Sequence, residues 1–257
     1  MSSTSWLKLG ERTIYLEDVP KLLDRSGLLM PLFRSLLIES CIANIVITEQ
    51  EQIAFQRQFL KKNNIESPER LAEWLRLNNL SEEEASKNML EALQLERFKI
   101  NRFGADVERV FLETKGDRDR VVYSLLRLED RAPAYELYLR LADGDSTFTD
   151  LSSVHSAGPE RDTGGLIGPI PLGRLHPRVA ELMRISKPGQ LWEPLQIDGL
   201  WVIVRLDKFL PAQLDEAMES QIRDECFNVW LDQQMATLMD SYRNLQSSGE
   251  KKPVAGS

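Results

Sequence analysis

Apolar residues recur at three- and four-residue intervals through most of the first hundred positions, which is the spacing of one face of a helix. Two helix starts are marked by capping boxes, Thr48-x-x-Glu51 and Ser81-x-x-Glu84. In each, the hydroxyl accepts a first-turn amide and the glutamate reaches back to the chain. The pattern predicts five helices, at about 18–26, 29–46, 49–63, 68–77 and 82–103.

The apolar stripes of these helices fit two interpretations. One stripe runs through Leu29, Phe33 and Leu36, and another runs through Ala85 and Met89. We expect the stripes to pack together as a helical bundle, because an amphipathic helix needs a partner for its apolar face. An apolar groove that holds an unfolded chain would use the same residues, so periodicity leaves both interpretations open.

The periodicity changes near residue 120, where the pattern predicts a small α/β region. The segment "RVVYSLLRLED" is short, rich in Val, Tyr and Leu, and bounded by charge, which is typical of a strand. Helices at about 132–142 and from Phe148 to Val154 are predicted next, followed by the glycine- and proline-rich stretch "RDTGGLIGPIPLGRLHP". A short helix and a hairpin complete the region. The hairpin turn is Asp198-Gly199, a pair that accepts positive φ at both positions.

Helical spacing returns from Ala212 to about Leu245, and we expect this helix to pack on the N-terminal bundle. The fold class is therefore α+β. We predict a helical domain at 1–118, an α/β domain at 119–211, a C-terminal helix at 212–245 that completes the helical domain, and a disordered polar tail at 246–257.

Composition and charge indicate the class of protein and limit the classes of partner that it can bind. The 257 residues are 42 % apolar and 28 % charged, which is ordinary for a globular protein, and the length favours two domains over one. A net charge of −8 argues against nucleic acid, which needs a basic face. No continuous apolar run resembles a signal peptide or a membrane span, so we expect a cytoplasmic protein without membrane insertion. Cys41 and Cys226 are then expected to be unpaired core residues.

Catalytic motifs are scarce. The only histidines are His155 and His176, and no zinc-protease, CxxC, nucleophile-elbow or Walker pattern occurs. Gly164-Gly165 lacks the neighbours that a phosphate loop uses, and the prolines after it block a helix start. We therefore predict no metal, no phosphate site and no cofactor.

The middle of the chain resembles the parvulin-type (PpiC, rotamase) peptidylprolyl isomerases. Three segments carry the resemblance in the family's order: "ADGDSTFTDLSSVHS", "TGGLIGPIPLGRLHPRVAELM" and "SKPGQLWEPLQIDGLWVIVRL". The resemblance as a whole covers roughly Val121 to Phe209. The surrounding helices look like those of the SurA and PrsA class of chaperone-isomerases. The resemblance implies a small, mostly antiparallel four-stranded sheet beside a helical chaperone-like domain.

The resemblance also implies a shallow apolar pocket for a substrate proline. Gly165 lies in the glycine loop that edges this pocket in the family. The family's pocket Met and Phe fall at Leu175 and Val179, and His176 beside them supplies a polar group. No cofactor is implied, because the reaction only turns an X–Pro bond against an amide-resonance barrier of roughly 18–20 kcal/mol.

At the positions that form the polar centre of the family's site, this sequence has other residue types. The first-strand histidine falls at about Ser124 and the last-strand histidine at Trp201. The family's Cys or Asp falls near Gly158, just past Ser156. By resemblance, Ser124, Ser156 and Trp201 are the candidate catalytic residues, with Trp201 completing the proline pocket and the two serines supplying hydroxyls.

Three functional hypotheses follow. The first is an isomerase and folding chaperone that acts on unfolded or extended polypeptides containing X-Pro. The second is a catalytically impaired, parvulin-like chaperone that only binds such polypeptides, and loss of both strand histidines supports it. The third is an adaptor for an export or assembly system, because the SurA and PrsA resemblance implies secreted clients and a possible link to a secretion system.

Overall fold

The computed structural model describes residues 4–249 and divides into two compact units. The helical unit contains residues up to Val107 together with the chain from Ser220 onward, and the sheet unit contains Glu108–Glu219. The predicted α+β class, with a four-stranded antiparallel sheet, is confirmed. Of the tail at 246–257 that the sequence predicts to be disordered, the first four residues belong to the last helix, which ends at Gly249, and positions from 250 onward lie outside the described residues.

The helical unit begins with a hairpin and continues with helices that start where the sequence predicts. Thr48 and Ser81 each accept a hydrogen bond from the backbone amide three residues on, and both capping boxes are complete. Its elements are β1 (Ser5–Leu9), β2 (Arg12–Tyr15), α1 (Val19–Arg25), α2 (Leu29–Ile42), α3 (Glu49–Lys62), α4 (Pro68–Asn78), α5 (Glu82–Phe103) and most of α10 (Glu216–Gly249).

Aromatic side chains form the core of this unit. Phe103 of α5 and Phe227 and Leu231 of α10 are buried together, and the rings of Phe98 and Trp230 pack around them. Part of the apolar surface stays exposed, including Leu36 of α2. A separate apolar cavity of about 300 Å³ lies where α3 leads into α4. The bundle interpretation therefore describes the core, and the exposed apolar surface leaves the groove interpretation open.

The sheet unit is a four-stranded antiparallel sheet with the order β4-β3-β6-β5. The Asp198-Gly199 turn between β5 and β6 has positive φ at both residues, 48° and 85°, as predicted. The elements are most of α6 (Val107–Arg118), β3 (Arg120–Leu128), α7 (Arg131–Ala142), α8 (Phe148–His155), β4 (Leu166–Pro171), α9 (Pro177–Ile185), β5 (Leu191–Ile197) and β6 (Leu200–Leu210).

Strand alternation divides the unit's core between the two faces of the sheet. On one face, Tyr123 and Leu125 of β3 and Val204 of β6 pack against Met183 of α9. On the other face, Leu126 and Leu128 of β3 and Ile203 of β6 pack against α7 and α8. We call these the α9 face and the α7–α8 face.

Four elements are absent from the prediction made from the hydrophobic pattern: strands β1 and β2, helix α6 and strand β4. All five residues of β1 are exposed, so burial imposes no alternating pattern on them. Strand β4 has the sequence LIGPIP, whose glycine and prolines argue against a strand. It lies at the edge of the sheet, where the missing N–H groups of proline are tolerated.

Candidate functional site

A cavity of about 290 Å³ opens on the α9 face of the sheet. We call it the sheet pocket. The strands supply the floor, the start of α9 supplies one wall, and the β5–β6 turn supplies the rim. The lining residues are Tyr123, Leu125, Arg127, Ile170, Arg174, Leu175, His176, Val179, Ile197, Asp198, Leu200 and Val202.

The floor of the pocket follows from the alternation of β3. Residues Tyr123, Leu125 and Arg127 are two positions apart, so all three side chains lie on the α9 face. Val202 of β6 lies on the same face and is buried. Tyr123, Leu125 and Val202 are mainly apolar, and Arg127 is the charged residue of the floor.

The start of α9 places the wall residues. Pro177 occupies the first turn, and His176 is the N-cap, whose Nδ1 accepts a hydrogen bond from the Arg178 backbone amide at 3.3 Å. Because Nδ1 is an acceptor here, Nε2 carries the proton of the neutral ring. Nε2 lies 3.8 Å from Oδ2 of Asp198 across the pocket rim.

A closed ring of polar contacts joins Arg127, Ser156 and Glu160. The Arg127 backbone amide donates to Ser156 Oγ at 3.1 Å, and Ser156 Oγ donates to Oε1 of Glu160. Oε2 of Glu160 lies 3.5 Å from Nη2 of the Arg127 guanidinium. We call these three residues the Arg127 ring. The ring joins a strand residue of the pocket to the loop after α8.

Tyr123 contributes a neutral hydroxyl. Burial raises the pKa of the Tyr123 phenol, and the charge of Glu160 raises it further, while Arg127 opposes the shift. The group therefore stays protonated at neutral pH and remains able to donate a hydrogen bond.

Leu175, His176 and Val179, which the sequence predicts to bind substrate, all line the sheet pocket. Gly165 does not line it. Its carbonyl accepts the Leu125 amide at 2.8 Å, and a Cβ at Gly165 would lie 2.9 Å from the Leu125 carbonyl oxygen. Gly165 therefore sets the approach of the loop to β3 rather than touching the cavity.

Ser124 and Trp201, predicted to complete the pocket, lie on the α7–α8 face instead. Ser124 is buried, and its hydroxyl donates to Oδ2 of Asp207 at 2.7 Å. Trp201 packs against the ring of Tyr135, with centroids 6.3 Å apart. Their strand neighbours Leu125 and Val202 face the pocket in their place. The prediction was one residue out of phase, and a single step along a strand reverses the face.

Ser156 is buried and outside the pocket lining, and its hydroxyl serves the Arg127 ring. Three further lining residues, Arg127, Tyr123 and Arg174, were not predicted from the sequence. The signal that points to the first two is their period-two spacing with Leu125 along a predicted strand.

Residues 127–208 match the family model Rotamase, described as the PPIC-type PPIASE domain. The sheet unit thus contains a PPIC-type domain, and the resemblance of the middle of the chain to this family is confirmed over residues 127–208. The comparison with curated proteins found no significant match.

Several solved structures are similar to this chain. One is peptidylprolyl isomerase (PrsA) from Bacillus anthracis, with 16 % identity, coverage of 86 % of this chain and 96 % of that chain, and a TM-score of 0.41. Another comes from a study of two SurA-like chaperones of Campylobacter jejuni, with 12 % identity, coverage of 99 % and 100 %, and a TM-score of 0.37. A PpiC-type isomerase domain has 19 % identity, coverage of 39 % and 99 %, and a TM-score of 0.35.

Within residues 4–249, no helix combines the length and apolarity needed to cross a bilayer. The same residues contain no cluster of three or more His, Cys, Asp or Glu side chains arranged to hold a metal ion.

Proposed function

We propose that this protein is a peptidylprolyl cis-trans isomerase and folding chaperone that binds proline-containing unfolded or extended polypeptides. The observation that carries the proposal is the sheet pocket, which lies in the unit that contains the PPIC-type domain. Leu125 lies on its floor, and Leu175 and Val179 form its wall. A cavity of about 290 Å³ lined mainly by apolar side chains suits a single pyrrolidine ring and its flanking backbone.

Such a pocket catalyses isomerisation through binding alone. The planar amide is stabilised by resonance, and the barrier is the loss of that resonance when the bond twists. Apolar walls that hold the proline ring while the preceding carbonyl turns bind the twisted amide better than the planar one. No bond is broken and no proton leaves the substrate.

The test is a protease-coupled isomerisation assay on short Xaa-Pro peptides with a Leu175→Arg variant. Leu175 is half-buried at the pocket wall, so a charged side chain there removes apolar contact with the proline ring. We expect kcat/KM to fall by roughly 10-fold or more, which corresponds to the loss of about 1–3 kcal/mol of apolar contact with the substrate. Leu139→Arg on α7, outside the pocket lining and 55 % exposed, is the matched control and keeps wild-type activity. Equal activity of the two variants would place the site elsewhere.

A second candidate function is binding without catalysis. It is favoured by the strand side chains of the pocket, since Tyr123, Leu125, Arg127 and Val202 include no histidine. This alternative predicts isomerisation at the buffer rate together with suppressed aggregation of an unfolded client. Loss of that suppression in Leu175→Arg would assign it to the pocket, and retention would favour the exposed apolar surface of the helical unit.

A further inference from the structure

Glu160 is the most deeply buried acid next to the sheet pocket, with a side chain only 1 % exposed. A buried carboxylate is costly unless it is paired. One oxygen accepts from the Ser156 hydroxyl, while Oε2 has no hydrogen bond and lies 3.5 Å from the Arg127 guanidinium. The Arg127 charge is therefore its compensating partner.

The loop after α8 is built around this carboxylate. The Glu160 backbone carbonyl accepts from the Gly165 amide at 2.8 Å and from the Thr163 hydroxyl at 3.1 Å. Position 158 is a glycine, and a Cβ there would lie 2.3 Å from Oε2 of Glu160. The carboxylate thus occupies space that a side chain at position 158 would need.

Arg127 is consequently a cation with a fixed position on the pocket floor. Its backbone is held by the strand and by Ser156, and its guanidinium is held by Glu160. The side chain remains 35 % exposed and lines the pocket. A guanidinium has five N–H donors, so pairing with one carboxylate oxygen leaves donors for a ligand.

Twisting an X–Pro bond changes which of its atoms can accept a hydrogen bond. In the planar amide the nitrogen lone pair is delocalised into the carbonyl. In the twisted amide the lone pair is localised on nitrogen, which then accepts a hydrogen bond. A donor fixed beside an apolar ring site therefore stabilises the twisted state more than the ground state.

We infer that Arg127 is a catalytic residue that donates a hydrogen bond to the twisted prolyl amide, and that Glu160 is the positioning residue that aims its guanidinium. This inference rests on the proposed isomerase function. The substrate keeps all its atoms and electrons, and the arginine donates the hydrogen bond without giving up its proton.

The test compares kcat and KM for Arg127→Met, Glu160→Gln and the double variant in the isomerisation assay. Arg127→Met is expected to lower kcat by about 10²-fold, the usual effect of removing one fixed transition-state donor, with KM unchanged. Glu160→Gln keeps the donor but loosens it, so its kcat falls less. Arg127→Lys restores part of the activity because it returns a cationic donor.

The double variant separates positioning from folding. Arg127→Met alone leaves the Glu160 charge buried and unpaired, whereas Arg127→Met with Glu160→Gln removes both charges. If Glu160 acts through Arg127, the double variant is no slower than Arg127→Met, since the two effects are not additive. Additive losses would overturn the positioning role. Arg131→Met, an arginine stacked on Trp201 on the other face of the sheet, is the control that keeps activity.

The two proposals fail differently. A wild-type rate equal to buffer overturns the isomerase function, and the catalytic role of Arg127 falls with it. An active wild type with an equally active Arg127→Met and double variant overturns the role of Arg127 alone. A loss confined to KM would make Arg127 a binding residue and would also overturn the inference.

Discussion

Single residues decide how close the loop after α8 comes to the sheet. Gly165 has a φ of +84°, a conformation that L side chains rarely adopt, and a Cβ there would meet the Leu125 carbonyl oxygen at 2.9 Å. The loop carries Glu160, so its approach to β3 also sets the distance between that carboxylate and Arg127. The backbone of one glycine therefore supports the polar side of the sheet pocket.

Gly165→Ala tests this close approach, and Gly144→Ala is its matched control. Gly144 has a similar φ of +78° but open space where a Cβ would point. We expect Gly144→Ala to cost about 1–2 kcal/mol of unfolding free energy from the backbone alone. Gly165→Ala should cost clearly more, because the loop must also move away from Leu125. Urea unfolding of both variants measures the difference, and equal losses would contradict a steric role for this contact.

At the scale of the element, hydrogen bonds at helix starts tie stability to pH. Glu51 closes the capping box of α3 by accepting from the Thr48 amide at 2.9 Å, and it pairs with Arg97 of α5. The Thr48 backbone amide, the Arg97 side chain and the Thr48 hydroxyl lower the pKa of the Glu51 carboxyl to about 2. The ionised form is therefore the one that the folded helix prefers.

The sign of the pH effect follows from that direction. A carboxyl with a depressed pKa in the folded state contributes stability above its ordinary pKa, and the contribution is lost as pH falls towards the folded value. We expect wild type to exceed Glu51→Gln in melting temperature at pH 7, and the gap to close between about pH 4.3 and pH 2. Thermal scans across this range measure the gap. Glu49→Gln in the same turn is the control, and a gap that does not depend on pH would contradict the capping role.

At the scale of the whole molecule, each of the two units is stabilised by its own apolar core. Leu231 of α10 is fully buried with Phe103 and Phe227 in the helical unit, while Ile203 and Met183 are fully buried on the two faces of the sheet. The helical unit is thus assembled from segments at both ends of the chain. The pocket residues all come from the sheet unit.

Leu231→Ala is expected to lower the unfolding free energy of the helical unit by about 2–5 kcal/mol, the range for a truncated core leucine. Leu245→Ala on the same helix, at 73 % exposure, is the control and changes stability little. Urea unfolding followed by far-UV circular dichroism compares the two. A similar small effect for both variants would mean that Leu231 is not part of a close-packed core.

Local chemistry in the sequence was enough to predict the features that local contacts determine. The capping boxes and the Asp198-Gly199 turn each depend on residues only a few positions apart, so their signals are present in the linear chain. Most helices and strands of the sheet unit followed in the same way, apart from α6 and β4. Leu175, His176 and Val179 were named from the family resemblance, and they line the sheet pocket.

Tertiary structure alone decided which strand residues face the pocket and which charges meet there. A shift of one residue moves a strand side chain to the opposite face, so Leu125 and Val202 line the cavity while Ser124 and Trp201 do not. Arg127 and Glu160 are brought together only when the loop after α8 folds against β3. No periodicity or spacing records such a contact, because its energy arises from burial shared between distant segments.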